Sequence, residues 1–474
     1  MPEPSLLAHP DRLFPPDPTT RKIAQRLYAE TRALPIISPH GHVPPEWLAD
    51  NAPFADPTHL LLQPDHYVLR MLHANGADLS EMGRTGEGFA PLEEAAARRA
   101  WRILCENYHL FLGTPVKYWF DTTFADVFGI DLVPSAETAD EIYDAIAAAL
   151  RTPDFLPRAL FERFNISVLA TTDDPLDDLA PHATLAGDDS FNGRVIPTFR
   201  PDRFLEPANA GWPSLIAALG ERTGIDTSTY DGFIEALENR RAYFQDRGAV
   251  STDHAHMDAG TEPLEKAEAA RIYAAALKGS ATIEETTAFR RHMIFEMARM
   301  STEDGLVMTL HPAVHRNHDP ENFARFGADT GADIPIGVEF TRALQPLLAA
   351  FGNHPNLNLV AFTIDETVYS RELAPMAGYY RSFYVGVPWW FLDAPEAIRR
   401  FRGAVTETAG FYRTSGFIDD TRAFMSIPTR HDMARRLDAG YLASLVADHR
   451  LTEDEAHQVA HDLVTTIPNE VFKL

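Results

Sequence analysis

The stretch Ile36-Ile37-Ser38-Pro39-His40-Gly41-His42 is a short β-branched run that ends in two histidines one residue apart. Side chains alternate along a strand, so His40 and His42 leave its end on the same side, with Gly41 opening room between them. Imidazoles at i and i+2 suit zinc or a similar divalent ion, yet one such pair supplies only half of a usual ligand set. Standing alone, the pair is more often a chance feature of a surface loop. Its meaning depends on where the remaining ligands arise.

Seven more apolar runs follow, at residues 167–172, 194–199, 248–251, 306–310, 358–363, 383–387 and 416–418. Nearly all end in polar or ionisable residues: Asp173-Asp174, Arg200, Thr252-Asp253-His254, His311, Asp365-Glu366 and Asp420-Thr421-Arg422. Helical patterns lie between several of them, as at 282–300 and 394–406, and an amphipathic helix over 19–34 feeds the first run. This is the layout of an α/β fold of the (β/α)8 TIM-barrel type, whose site forms at the C-terminal ends of the strands. An open doubly wound sheet fits less well, because no Gly-rich nucleotide turn is present. The region from about 60 to 150 is helical with aromatic anchors and too long for a simple crossover. It reads as a helical insertion after the first strand, within a single barrel domain spanning 1–474.

In a closed barrel the last strand neighbours the first, which places Asp420 beside His40 and His42. A carboxylate with two imidazoles makes an open metal site; the plainer reading of Asp420 is a helix cap or a salt bridge with Arg422. Asp65 reads as a helix cap, which sets His66 and Tyr67 in the first helical turn, where they could face a pocket or simply be an exposed His and a half-buried Tyr. Arg200 and Arg422 offer guanidinium groups for an anionic substrate, though rim arginines more often pair with neighbouring acids. His311 suits a ligand or acid/base role as well as a structural one. The Asp253-His254-Ala255-His256 stretch repeats the His-x-His spacing after a short strand and is the weaker candidate. Trp389-Trp390-Phe391 could stack on a sugar or pack in the core.

The net charge of -26 across 474 residues disfavours nucleic acid and anionic membrane surfaces as partners. No apolar run is long enough to span a bilayer and the N-terminus lacks a signal-peptide layout, so a cytoplasmic protein is expected. Cys105, the single cysteine, sits on an apolar helical face and reads as a buried structural thiol.

In combination these pieces resemble the uronate isomerase family of the amidohydrolase superfamily. The resemblance rests on His40-Gly41-His42, Asp65-His66-Tyr67 with Arg70, and Thr171-Thr172-Asp173-Asp174-Pro175. It continues through Pro197-Thr198-Phe199-Arg200-Pro201-Asp202, Ser251-Thr252-Asp253-His254, Leu310-His311, Trp389-Trp390-Phe391, Asp420-Thr421-Arg422 and Arg430-His431. The chain departs at Ser38, where many members carry an acidic residue, and across 311–315. The resemblance implies interconversion of a hexuronate aldose and its ketose by proton transfer. It makes His40, His42 and Asp420 the ligands of one divalent metal, zinc being expected. Tyr67, His66, Asp420 and Arg422 become catalytic candidates, and Arg200, His311, Trp389 and Trp390 substrate-binding ones. A small-molecule hexuronate is the expected partner, and a homo-oligomer the expected assembly. The competing readings are a metal-dependent amidohydrolase or lactonase on the same barrel, and a barrel that only binds sugar acids.

Overall fold

The computed structural model describes residues 9–86 and 88–474. Eight short strands carry its centre: β1 (Ile36–Ser38), β2 (Ile166–Ala170), β3 (Arg194–Ile196), β4 (Thr198–Phe199), β5 (Ser251–His254), β6 (Val307–Leu310), β7 (Leu359–Ala361) and β8 (Phe383–Val385). They form two sheets, of order β1-β2-β3 and β8-β7-β6-β5-β4, in which every neighbouring pair is parallel. Most of these strands are buried along their whole length, the pattern expected where helices cover a parallel sheet.

Backbone hydrogen bonds continue beyond the sheets. Asp173, past the end of β2, donates to Thr198 O at 3.0 Å, and Arg200 donates back to Asp173 O at 3.0 Å, so the two sheets join across Pro197. On the other side, Ser415 donates to Val385 O at 3.1 Å and His42 donates to Thr421 O at 3.0 Å. The chain from 414 to 421 therefore lies between β8 and the end of β1.

Two strand expectations change. Residues 416–418 form no ladder: Gly416 (φ 71°) and Asp420 (φ 40°) bracket them in left-handed backbone, and a ladder needs extended φ/ψ throughout. The run expected at 248–251 is a strand at Ser251–His254 instead, because Gly248 (φ 90°) turns the chain and extended pairing starts only afterwards. Thr252, Asp253 and His254 thus belong to the strand itself and are fully buried.

Helices α1 (Pro18–Thr31), α2 (His66–Ala74), α3 (Pro395–Ala409) and α4 (Ile427–Ala447) position the site. The Arg435 guanidinium on α4 donates to the carbonyls of Thr31 (3.1 Å), Arg32 (3.1 Å) and Pro35 (2.9 Å), fixing the approach to β1. Between β1 and β2 lie mostly helices, one of them Glu94–Glu106 with buried Cys105, and a small antiparallel ribbon pairing Arg84–Thr85 with Gly88–Phe89. No helix among the described residues is long and apolar enough to cross a membrane.

Candidate active site

Beyond the C-terminal strand ends lies a cavity of about 950 Å³ including its open mouth. His40, His42, His66, Tyr67, Arg200, Asp253, His311, Trp389, Trp390, Asp420 and Arg422 all contribute to its wall. The candidate metal, catalytic and substrate-binding residues therefore reach one space, whereas His254 and His256 do not line it.

His42 Nε2 stands 3.0 Å from Asp420 Oδ1, and His40 Nε2 stands 3.6 Å from the same oxygen. Donor atoms about 2.0–2.2 Å from a shared tetrahedral ion are about 3.3 Å apart, so this spacing fits a divalent cation. Asp420 Oδ1 is buried and makes no well-aligned hydrogen bond although His42 Nε2 stands 3.0 Å away, which suits an oxygen that ligates an ion. Burial lowers the His40 pKa to about 4, which keeps the imidazole in its neutral, ligating form. The left-handed φ of Asp420 turns its carboxylate toward the histidines, a placement that simple strand alternation does not give.

Asp253 organises the next layer. Its Oδ1 lies 2.7 Å from His311 Nδ1, and its Oδ2 lies 3.4 Å from Arg200 Nη1 and 3.9 Å from His40 Nε2. Burial alone would raise the Asp253 pKa, but Arg200, His311 and His40 hold it well below the ordinary range. The Nε2 of His311 is buried and has no hydrogen-bond partner in the protein. The His311 ring stacks at 5.0 Å on His40 and meets Trp389 edge-on at 4.7 Å.

Asp65 caps α2 through Tyr67 N (2.9 Å) and Val68 N (3.4 Å), which sets His66 and Tyr67 at the cavity. The Tyr67 hydroxyl donates to Asp393 Oδ1 at 2.7 Å and accepts from Phe391 N at 3.0 Å; Arg430 donates to the other Asp393 oxygen at 2.6 Å. A guanidinium close to a tyrosine ordinarily favours its phenolate. Instead burial, then Asp393, raises the Tyr67 pKa well above 10, and the guanidinium beside the ring is that of Arg430. Arg422 pairs with Asp329 at 2.9 Å and, after burial, contributes to lowering the His66 pKa to about 3. Trp390 sits edge-on to His66, with Arg316 over its face at 5.1 Å.

Sequence reasoning underrated Asp253, noted Arg316-Asn317 within the resemblance without giving Arg316 a role, and missed Asp329 and Asp393. Asp253 was legible in principle, since Ser251-Thr252 extends the apolar run toward it. Asp329 and Arg316 belong to the long connection between β6 and β7, where no periodicity marks them.

The family profile for glucuronate isomerase matches residues 19–472. The uronate isomerase of Cutibacterium acnes is 56% identical over 474 residues, covering 100% of each chain, and that of Rhizobium meliloti is 51% identical over 99% of each. Among solved structures, the glucuronate isomerase of Caulobacter crescentus superposes with a TM-score of 0.96 at 46% identity, covering 99% of this chain and 97% of the other. The uronate isomerase of Thermotoga maritima gives 0.91 at 27% identity, covering 98% and 99%.

Proposed function

We infer the chemistry of the cavity from the premise that the chain belongs to the glucuronate isomerase family. It is an enzyme, a uronate isomerase. We assign it the interconversion of D-glucuronate with D-fructuronate and of D-galacturonate with D-tagaturonate, by proton transfer through an enediol. The observation that carries this reading is the convergence of His40, His42 and Asp420 with Tyr67, Arg200 and Arg422 on one cavity. A hydrolase on the same scaffold is not favoured by the two curated relatives described above, each a uronate isomerase.

On this reading the two parallel sheets, with β3 and β4 counted as one strand interrupted at Pro197, and the 414–421 segment make one eight-stranded (β/α)8 barrel in a single domain, with residues of about 60–150 inserted after β1. The hydrogen bond from His42 N to Thr421 O supports closure at that seam. His40, His42 and Asp420 hold one divalent ion, for which zinc suits the two nitrogens and one oxygen. Such an ion supplies a positive charge that polarises sugar oxygens nearby. Asp420 takes the proton of the anomeric hydroxyl and returns it to the ring oxygen as the sugar opens. Tyr67 Oη then removes the C2 proton while passing its own proton to Asp393, the acceptor already 2.7 Å away, which leaves an enediolate; Tyr67 next delivers a proton to C1 and recovers one from Asp393, while the C2 hydroxyl gives its proton to O1. Arg200 grips the uronate carboxylate, Arg422 and His311 hold hydroxyls, His66 steadies the open chain, and Trp389 and Trp390 wall the sugar face. The same reading makes the enzyme a cytoplasmic homo-oligomer whose partner is a small hexuronate rather than nucleic acid or membrane.

A ketose-forming assay with glucuronate and galacturonate, on wild type and Asp420→Asn, tests the reading. Turnover of either uronate with a loss of at least about 10²-fold in the variant is expected. Full activity of Asp420→Asn would remove its assignment, and turnover of lactones in place of uronates would favour the hydrolase.

A further inference from the structure

We propose a second divalent-cation site in the wall behind Arg200, built by Asp202, His254 and His256, with Glu206 orienting the His256 ring from its other nitrogen. One ligand atom from each of Asp202, His254 and His256 lies within 4.8 Å of the others. His256 Nε2 is 3.4 Å from Asp202 Oδ1, and its Nδ1 is 2.8 Å from Glu206 Oε1. His254 uses Nε2 on Thr252 Oγ1 at 3.1 Å, which leaves Nδ1 for another partner.

The histidines are 1% and 6% exposed, and His254 Nδ1 and His256 Nε2 have no hydrogen-bond partner. A buried ring nitrogen left unsatisfied is unfavourable, and two converging on a carboxylate call for a shared occupant. A cation meets that need and the local charge. Around the site the acids Asp202, Glu206, Asp253 and Asp258 outnumber the guanidinium groups of Arg200, Arg290 and Arg291. Two imidazoles with a carboxylate select zinc or another first-row divalent ion over calcium and magnesium, which prefer all-oxygen shells.

The site is separate from the catalytic cavity, whose wall includes Arg200, Asp253 and Ala255 but not Asp202, His254 or His256. Asp202 links the two, because its Oδ2 accepts from Arg200 Nε at 2.9 Å. An ion on Asp202 Oδ1 fixes that carboxylate and so the guanidinium it holds, which makes His256 a positioning residue for Arg200.

Zinc titration of chelator-stripped protein, followed by dialysis and elemental analysis, tests the proposal. Two equivalents per chain are expected in wild type, one in His256→Gln and one in Asp420→Asn, with KM for the uronate raised about tenfold or more in His256→Gln and kcat little changed. A single equivalent in wild type that Asp420→Asn abolishes, or two retained in His256→Gln, would overturn the site; an unchanged KM would overturn the positioning role. If His256→Gln fails to fold, Asp420→Asn decides alone: one equivalent supports the site and none refutes it.

Discussion

Tyr67 is the residue whose surroundings alter the chemistry most. Its hydroxyl is held by Asp393 and Phe391 N, and burial keeps it protonated across any working pH. A tyrosine raised well above 10 ionises only at still higher pH, so it cannot produce an alkaline limb near the ordinary phenol value. Tyr67→Phe should therefore lower kcat by at least about 10²-fold while leaving the shape of the pH profile unchanged. A wild-type limb near pH 10 that vanishes in the variant would show that the free phenolate acts instead. The histidine pair was legible because i, i+2 spacing at a strand end has one geometric outcome. Asp393 was not, because nothing in the sequence links it to Tyr67, 326 positions away.

At the scale of elements, the packing of α3 on α4 rests on a buried ion pair. Arg402 donates to both oxygens of Asp438, at 2.6 and 2.8 Å. Removing one partner strands the other charge, so Asp438→Ala should cost about 3–5 kcal/mol in urea unfolding. Neither residue touches the cavity, so KM should stay near the wild-type value. A loss below about 1 kcal/mol would mean that water reaches Arg402. Most strands and the helix capped by Asp65 could be read from apolar runs and turn residues. The run at 416–418 misled because hydrophobicity marks burial, whereas a ladder also needs extended backbone on both sides. At 248–251 the apolar pattern stopped where polar strand residues began, which hid Asp253 inside β5.

For the whole molecule, a net charge of -26 opposes the approach of an anionic uronate, while Arg200, Arg316 and Arg422, each beside an acid, are guanidinium groups in the cavity wall that can receive its carboxylate at contact. Salt screens the distant charges more than those at contact. Raising ionic strength from low values should thus increase kcat/KM with either uronate. A steep fall would show that the arginines, not the overall charge, govern encounter. The order of the parallel strands followed from the sequence because polar residues recur after successive apolar runs. The loop carrying Arg316 and Asp329 did not, because its position over the cavity is set by tertiary contacts such as the Arg422–Asp329 pair.

In the proposed isomerisation a proton moves between C2 and C1, carried by Tyr67 and Asp393. Turnover of D-glucuronate in deuterated water, with the ketose analysed by NMR and mass spectrometry, tests it most directly. Deuterium at C1 of the product is expected, since the Tyr67 proton exchanges with solvent through Asp393. A ketose carrying no deuterium at any stage of conversion would contradict exchange through Asp393 and is the result that a hydride shift predicts.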